Sequence, residues 1–147
     1  MRLSLQAQYA ICGIFDLAYN GNGSPVQVRV IGERQQIPAR YLEQIFQRLR
    51  RARLVRGKRG PGGGYTLARP PKDITLRDVI EAVEGPLDRL LAGALPGAAA
   101  ARPGFLWPRL AEGVGEALSS IDLERLCRDA ARLAVPRAHA ESPMYHI

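Results

Sequence analysis

Residue types that build catalytic and metal sites are scarce in this sequence. Its 147 residues include two cysteines, Cys12 and Cys127, and two histidines, His139 and His146, both near the C-terminus. Two thiols so far apart give no disulfide framework and no zinc-ligand spacing, which favours a reducing, cytoplasmic location. Both cysteines fall on apolar helical stripes, so we expect buried structural thiols. Because no nucleophile, base or metal ligands are grouped, the sequence predicts neither an enzyme nor a metal site.

Long apolar runs are missing, and acidic residues are few in the first half. No segment is long and apolar enough to span a bilayer, and the N-terminus lacks a signal-peptide pattern, so we expect no membrane association. Residues 1–72 carry thirteen Lys/Arg against three Asp/Glu, a balance of +10, whereas residues 73–147 carry eight against eleven, a balance of −3. This asymmetry favours a first half that binds a polyanion, with a generally basic surface as the alternative.

Apolar periodicity in the first 53 residues predicts a helix-turn-helix. A first helix is predicted over residues 3–19 from apolar residues at helical spacing, namely Leu5, Tyr9, Cys12, Phe15 and Tyr19. Residues 26–28 are predicted as a short strand, and residues 29–36 as a short helix weakened by Gly32. A basic helix follows from Pro38 to Arg53, with one apolar stripe formed by Leu42, Ile45, Phe46 and Leu49. Two helices joined by a short turn, the second of them basic, are typical of a helix-turn-helix.

Glycines dominate the next segment. Residues 54–56 and 65–68 are predicted strands, and between them lies a glycine-rich tip with two cations, Lys58 and Arg59. A hairpin that directly follows a recognition helix is typical of the wing of a winged helix. A phosphate-binding loop is rejected because no Gly-Lys-Ser/Thr follows the glycines and because a strand comes next. A flexible surface hairpin is the plainer alternative.

The rest of the chain is predicted to hold three helices. Thr75 and Asp78 have the spacing of a capping box at the start of the first one. After a loop rich in Ala, Gly and Pro, a helix over residues 105–119 carries a longer apolar stripe than a small domain needs, and Asp122 can cap a last helix. We interpret the stripe as a dimer interface, with an ordinary core helix as the alternative. The residues assigned to this interface are Trp107, Leu110, Val114, Leu118 and Ile121.

Three segments make the sequence similar to a known family: MRLSLQAQYAI, IPARYLEQIFQRLRRARLVRGKRGPGGGYTLARP and ITLRDVIEAVEGP. They resemble the Rrf-type winged helix-turn-helix transcriptional regulators. The resemblance implies a mainly α fold with a small β-hairpin wing and a long dimerisation helix. The chain would then consist of a DNA-binding domain (1–86), a flexible loop (87–104), the dimerisation and terminal helices (105–135) and an irregular tail (136–147).

The resemblance also implies a function. A homodimer would bind double-stranded DNA at a palindromic operator, and we expect it to repress transcription. The residues expected at base edges and in the grooves are Pro38, Ala39, Arg40, Tyr41 and Gln44, with Arg59 from the wing tip. The residues expected to hold phosphates are Arg48, Arg50, Arg51 and Lys58, and Arg2 is a further expected DNA contact. Gln44 has the donor and acceptor pair that adenine recognition uses.

The sequence departs from the cluster-sensing members of that family. Those members carry three cysteines in the segment that corresponds to residues 87–105, which has none here. Ala92 and Ala101 stand about where such ligands fall. Because iron–sulfur clusters need thiolates or an occasional imidazole, we expect no cofactor in this loop. Two alternatives stay open: a winged-helix module controlled mainly by a protein partner, and a redox-sensing regulator whose cluster ligands are replaced in this chain.

Overall fold

The structure, a computed structural model, describes residues 2–138. In chain order its elements are α1 (Leu5–Asn20), α2 (Val28–Gln35), α3 (Ala39–Arg51), β1 (Val55–Lys58), β2 (Gly64–Leu67), a 3-10 turn (Pro71–Asp73), α4 (Leu76–Glu84), α5 (Leu87–Leu90), α6 (Leu106–Ser119) and α7 (Leu123–Arg132). The two strands form one antiparallel hairpin. The predicted class, mainly α with a small β-hairpin wing, is confirmed. Residues 87–104, predicted as a loop, begin with the short helix α5. No helix within residues 2–138 is long and apolar enough to cross a membrane.

Helix α1 fully buries only one residue of its predicted stripe, Tyr19, which is 3% exposed. The rest of its buried apolar face consists of Ala7, Ala10, Ile14 and Leu17, each at most 3% exposed. In contrast, Leu5 is 60% exposed and Cys12 is exposed. Most of the circumference of α1 is apolar, so periodicity did not single out the core side. Small side chains mark that side, because they let α1 lie against α3 and α4. The expectation of a buried Cys12 is therefore wrong, and Cys127 is only half-buried.

A buried carboxylate fixes α2 against α1. Asp16 is 1% exposed. It accepts hydrogen bonds from Arg34 Nε at 3.1 Å and from Gln35 Nε2 at 3.0 Å, both from the last turn of α2. The pairing makes burial of this carboxylate tolerable, since an unpaired buried charge is strongly unfavourable. The only sequence signal for this link is that Asp16 is the single acidic residue of α1.

The hairpin is joined to the helices through Val26 and Tyr65. Val26 N donates to Tyr65 O at 2.9 Å, and Tyr65 N donates to Val26 O at 2.8 Å. The strand predicted over residues 26–28 is therefore a single bridge, and α2 already begins at Val28. Gly64 permits this close approach: its φ is +143°, and a Cβ there would lie 2.5 Å from the Val26 carbonyl group. The Tyr65 ring packs on Phe46 of α3 with centroids 5.0 Å apart, which fixes the base of the wing on that helix.

The C-terminal helices share the core of the helix-turn-helix. The predicted capping box is present at the start of α4, where Thr75 and Asp78 each accept a hydrogen bond from the other's backbone. Asp122 caps α7, also as predicted. Leu123 N donates to Ile74 O at 2.9 Å, and the Leu123 side chain is fully buried in the same cluster as α1 and α3. Residues on both sides of position 86 therefore contribute to one core.

Residues 135–138 run back along the end of α1. Tyr19 Oη donates to Val135 O at 2.8 Å, and the Arg137 guanidinium carbon lies 4.1 Å from the Tyr19 ring centroid. Ala138 N donates to Asn20 Oδ1 at 2.9 Å. The first residues of the segment predicted as an irregular tail are thus held in place. His139 and His146 lie outside the described residues.

Candidate nucleic-acid interface

A three-residue turn joins α2 to α3. Gln36 ends α2 in a left-handed conformation, with φ of +57°, and its N–H donates to Gly32 O. By helix propensity alone, Gly32 weakens this helix. The turn requires it, because a Cβ at Gly32 would lie 2.6 Å from the carbonyl oxygen of Ile37. Pro38 then precedes the first residue of α3, where no intrahelical donor is lost.

Helix α3 separates an apolar face from an exposed polar one. Its predicted stripe is buried, with Leu42, Ile45, Phe46 and Leu49 each at most 3% exposed. The predicted DNA-reading residues at its start are all exposed: Pro38, Ala39, Arg40, Tyr41 and Gln44. Because the apolar stripe is buried inside the subunit, the opposite face of α3 points to solvent, where it can enter a groove of DNA.

Arg40 and Tyr41 form one unit on that face. The Arg40 guanidinium carbon lies 4.9 Å from the Tyr41 ring centroid, and Arg40 Nη2 donates to Tyr41 Oη at 3.1 Å. The Tyr41 ring in turn stacks on Tyr9 of α1, with centroids 6.4 Å apart. Stacking restricts both side chains before any ligand arrives, which lowers the entropy that is lost on binding.

Arg48 is engaged within the subunit. A cavity of about 270 Å³ lies between α1 and α3. Arg48 lies at its border, where Nη1 donates to Gln6 Oε1 at 2.6 Å and to Val83 O at 3.2 Å. These bonds join α3 to α1 and α4. The structure therefore gives Arg48 a linking role inside the fold, which differs from the free phosphate contact expected from the sequence.

The wing ends in an exposed cationic tip. Gly63 N donates to Gly60 O at 2.9 Å and closes the turn after β1. Lys58 and Arg59 are exposed. Within residues 2–138 neither of them forms a hydrogen bond through its side chain or an ion pair. Both cations are thus available to an external anion.

Two other predicted DNA contacts lie apart from these groups. Arg51 is exposed in the last turn of α3, where a cation also complements the helix dipole. Arg2 borders a different groove, which is lined by residues of α4, α5 and α6. The structure thus gathers Arg40, Tyr41 and Gln44 at one end of α3 and places Arg2 elsewhere.

The residues assigned to a dimer interface on and after α6 differ in their exposure. Only Leu110 is exposed, at 42%. The other four are half-buried: Trp107, Val114, Leu118 and Ile121. Val114 and Leu118 pack against the core of their own subunit. The start of the helix instead presents Phe105, 79% exposed, and Leu106, 41% exposed.

The two thiols lie on different helices, Cys12 on α1 and Cys127 on α7. Burial raises the pKa of Cys127, against a smaller lowering by Arg137. Desolvation also raises the pKa of Cys12, although the residue is exposed. Among residues 2–138 no three His, Cys, Asp or Glu side chains come close enough to hold a metal ion.

These features define the chain as a winged helix-turn-helix DNA-binding protein. It belongs to the Rrf2 family, whose model, described as an iron-dependent transcriptional regulator, matches residues 3–129. The family and the function predicted from the sequence are thereby confirmed: the chain is a DNA-binding transcriptional regulator and not an enzyme.

Relatives and solved structures agree with this assignment. An HTH-type transcriptional regulator of Neisseria meningitidis is 38% identical over 129 residues, which cover 86% of this chain and 87% of that protein. The regulator IscR of Cereibacter sphaeroides is 43% identical over 119 residues, 78% and 76% of the two chains. The structure of T. potens IscR has a TM-score of 0.73 at 34% identity and covers 95% of both chains. CymR, the global cysteine regulator of B. subtilis, has a TM-score of 0.72 at 32% identity, with 87% and 97% covered.

Proposed function

We propose that this regulator represses transcription by binding a palindromic operator as a symmetric homodimer. The start of α3 enters the major groove, and the wing tip lies at the neighbouring minor groove. The observation that carries the proposal is the set of exposed cations at these two places, Arg40 on α3 and Lys58 and Arg59 on the wing. Within the described residues none of the three forms an ion pair. Unpaired cations can neutralise DNA phosphates and release their counterions.

The exposed face of α3 supplies the sequence reading. Arg40 and Gln44 are four residues apart, so they lie one above the other on the same face of the helix. An arginine fork pairs with guanine O6 and N7, and a glutamine amide pairs with adenine N6 and N7. The two side chains therefore reach neighbouring base pairs. Arg51 and Lys58 have no neighbour that fixes their direction, so we assign them to phosphates.

The exposed apolar start of α6 forms the dimer seam in this proposal. Phe105, Leu106 and Leu110 leave more apolar surface in water than one helix of a small domain ordinarily does. A second copy related by a two-fold axis would cover the same residues on both chains. Such a dimer matches a palindromic site if its two α3 helices lie about 34 Å apart, one DNA turn, and we expect that spacing.

The segment between α5 and α6 supplies no ligand for an iron–sulfur cluster in this proposal. The family description names iron, and related regulators include IscR. Residues 91–105 contain no Cys or His, and Cys12 and Cys127 lie on different helices. Such a donor set does not fit a cluster that thiolates hold. Anaerobic purification followed by iron and sulfide analysis tests this statement: stoichiometric iron and sulfide with visible charge-transfer bands would contradict it.

The DNA-binding assignment is tested with an operator selected from random duplex DNA. Affinity should fall steeply with salt, with a slope of log K against log salt of about −0.9 for each phosphate neutralised. Arg40→Ala and Arg59→Ala should each weaken binding to the selected operator by about 1–3 kcal/mol. Arg128→Ala, which removes an exposed arginine of α7, is the matched control and should change little. Equal losses from all three variants would refute the interface.

A further inference from the structure

A second basic surface lies away from the residues proposed to read the operator. An open cleft of about 720 Å³ separates the end of α3 from the base of the hairpin. Four exposed arginines surround it: Arg50, Arg53, Arg56 and Arg69. We call this surface the arginine cleft. Arg50 follows Arg40 by ten residues within α3, so at 1.5 Å per residue the cleft begins about 15 Å along the helix from the end that is proposed to read the operator.

The four arginines have no acidic partner among residues 2–138. None of them belongs to an ion pair, and the one hydrogen bond among their side chains runs from Arg69 Nη2 to Ala52 O at 3.4 Å. A helix dipole explains a cation such as Arg50 in the last turn of α3. It does not explain Arg56 on β1 or Arg69 just after β2. Like charges gathered around one cleft repel one another, and an external anion would relieve that repulsion.

The backbone at Arg53 supplies an independent observation. Arg53 has a φ of +62° in the position that follows the helix cap, where Arg53 N donates to Arg50 O and Leu54 N to Leu49 O. This motif ordinarily places glycine at the left-handed position, because a Cβ there is strained. A long cationic side chain thus occupies the residue where glycine would fit best. Retained strain of this kind points to a use for the side chain.

We propose that the arginine cleft binds backbone phosphates of the duplex that flanks the operator, bent toward the base of the wing. This inference rests on the proposed dimeric DNA binding. Guanidinium forks pair well with phosphate oxygens. The remaining walls, among them Val55 and Ala68, offer no aromatic platform and no amide to select a base or a small effector. The chemistry therefore fits a phosphodiester backbone, and sequence-dependent stiffness of the flanks would influence affinity without any base contact.

The test compares two duplexes that carry the same selected operator. One ends at a core of about 18 base pairs, and the other extends it by about one and a half helical turns on each side. For the unmodified protein, the slope of log K against log salt should be more negative on the extended duplex by about 2–4, which corresponds to one or two extra phosphates for each subunit. Bending should show as slower migration of the extended complex when the operator is central.

Arg53→Gly is the diagnostic variant, combined with Arg69→Gln. Glycine relieves the strained φ, so the melting temperature should be at least that of the unmodified protein. The extra salt slope and the bend should nevertheless disappear, while binding to the core duplex stays within about twofold. Arg59→Ala, by comparison, should weaken binding to both duplexes alike.

Several results would overturn the inference. Equal salt slopes on the two duplexes would show that the cleft does not contact the flanks. The proposed binding to the operator would not be affected by that result. Loss of core binding in the Arg53→Gly and Arg69→Gln variant would place the cleft in the operator interface itself. Tight binding of sodium triphosphate that requires the four arginines, without any gain from flanks, would make the cleft a small-anion site. Failure of the unmodified protein to bind the core duplex would refute the proposed function together with this one.

Discussion

Helices α3 and α6 are both amphipathic, yet they use their faces in opposite ways. The apolar stripe of α3, formed by Leu42, Ile45, Phe46 and Leu49, is buried in the subunit, and the polar face with Arg40 points to solvent. In α6 the buried residues are the small Ala111 and Gly115, whereas Phe105, Leu106 and Leu110 remain exposed. One helix leaves charge available for a nucleic acid, and the other leaves apolar surface available for a protein. The exposed faces therefore suit the two proposed partners, DNA for α3 and a second subunit for α6.

Two phenylalanines provide the largest expected contrast. Phe46→Ala should lower the free energy of unfolding by about 3–5 kcal/mol, because the ring is fully buried between α1 and the wing. Phe105→Ala removes the same atoms from a 79% exposed site and should leave the secondary structure unchanged. Urea unfolding followed by circular dichroism at two protein concentrations measures both, since the unfolding of a dimer depends on concentration. A loss from Phe105→Ala that does not vary with protein concentration would contradict the contrast.

The second largest effect is expected at Asp16, the buried carboxylate that joins α1 to α2. Asp16→Ala leaves Arg34 partly buried without its partner and should lower the free energy of unfolding by about 2–4 kcal/mol. Glu33→Ala breaks an exposed pair with Arg29, in which both side chains are 65% exposed, and should cost less than about 0.5 kcal/mol. If the two variants unfold at the same urea concentration, the buried pair does not position α2 as described.

Sequence reasoning predicted α3 far better than α1. The stripe of α3 is flanked by polar residues, so its period defines the core face without ambiguity. Helix α1 is apolar on two sides, and Leu5 and Cys12 of its predicted stripe proved to be exposed, whereas Tyr19 of the same stripe is buried. The Asp16 pair joins residues of two separate helices, and pairing over such a distance leaves no periodic signal. The arginine cleft was missed for the same reason, because the fold alone brings the end of α3 beside the hairpin base.

A smaller effect is expected at α4, which lies between the two compared helices and contacts both. Thr75→Ala removes the side chain that accepts a hydrogen bond from Asp78 N and should lower the free energy of unfolding by about 1 kcal/mol. Thr75→Ser retains the acceptor oxygen and serves as the control. Since α4 supports α3 and α6 alike, operator affinity and dimerisation should change together and only slightly. A selective loss of one of them would show that α4 serves that helix alone.

The smallest effect concerns the two thiols, one in each half of the molecule. Their pKa values are raised, chiefly by desolvation, so a smaller fraction of each is thiolate at pH 8 than in a free thiol. Alkylation of the folded protein by iodoacetamide should therefore be slower than alkylation of the same protein in urea. Mass spectrometry of Cys12 and Cys127 peptides over time measures the two rates. Faster reaction of either thiol in the folded state would contradict the expected direction.

We propose that α3 binds DNA and that α6 binds the second subunit. A variant that breaks the contact between subunits but leaves α3 unchanged tests this assignment most directly. Leu106→Glu combined with Leu110→Glu places charge in the proposed seam and leaves Val114 and Leu118, which serve the subunit's own core, in place. Sedimentation equilibrium with and without the selected operator should show a dimer for the unmodified protein, with two chains on each duplex. The variant should be a folded monomer that binds the palindrome no better than a single half-site. A variant that remains dimeric, or a monomer that retains full affinity for the palindrome, would contradict the account.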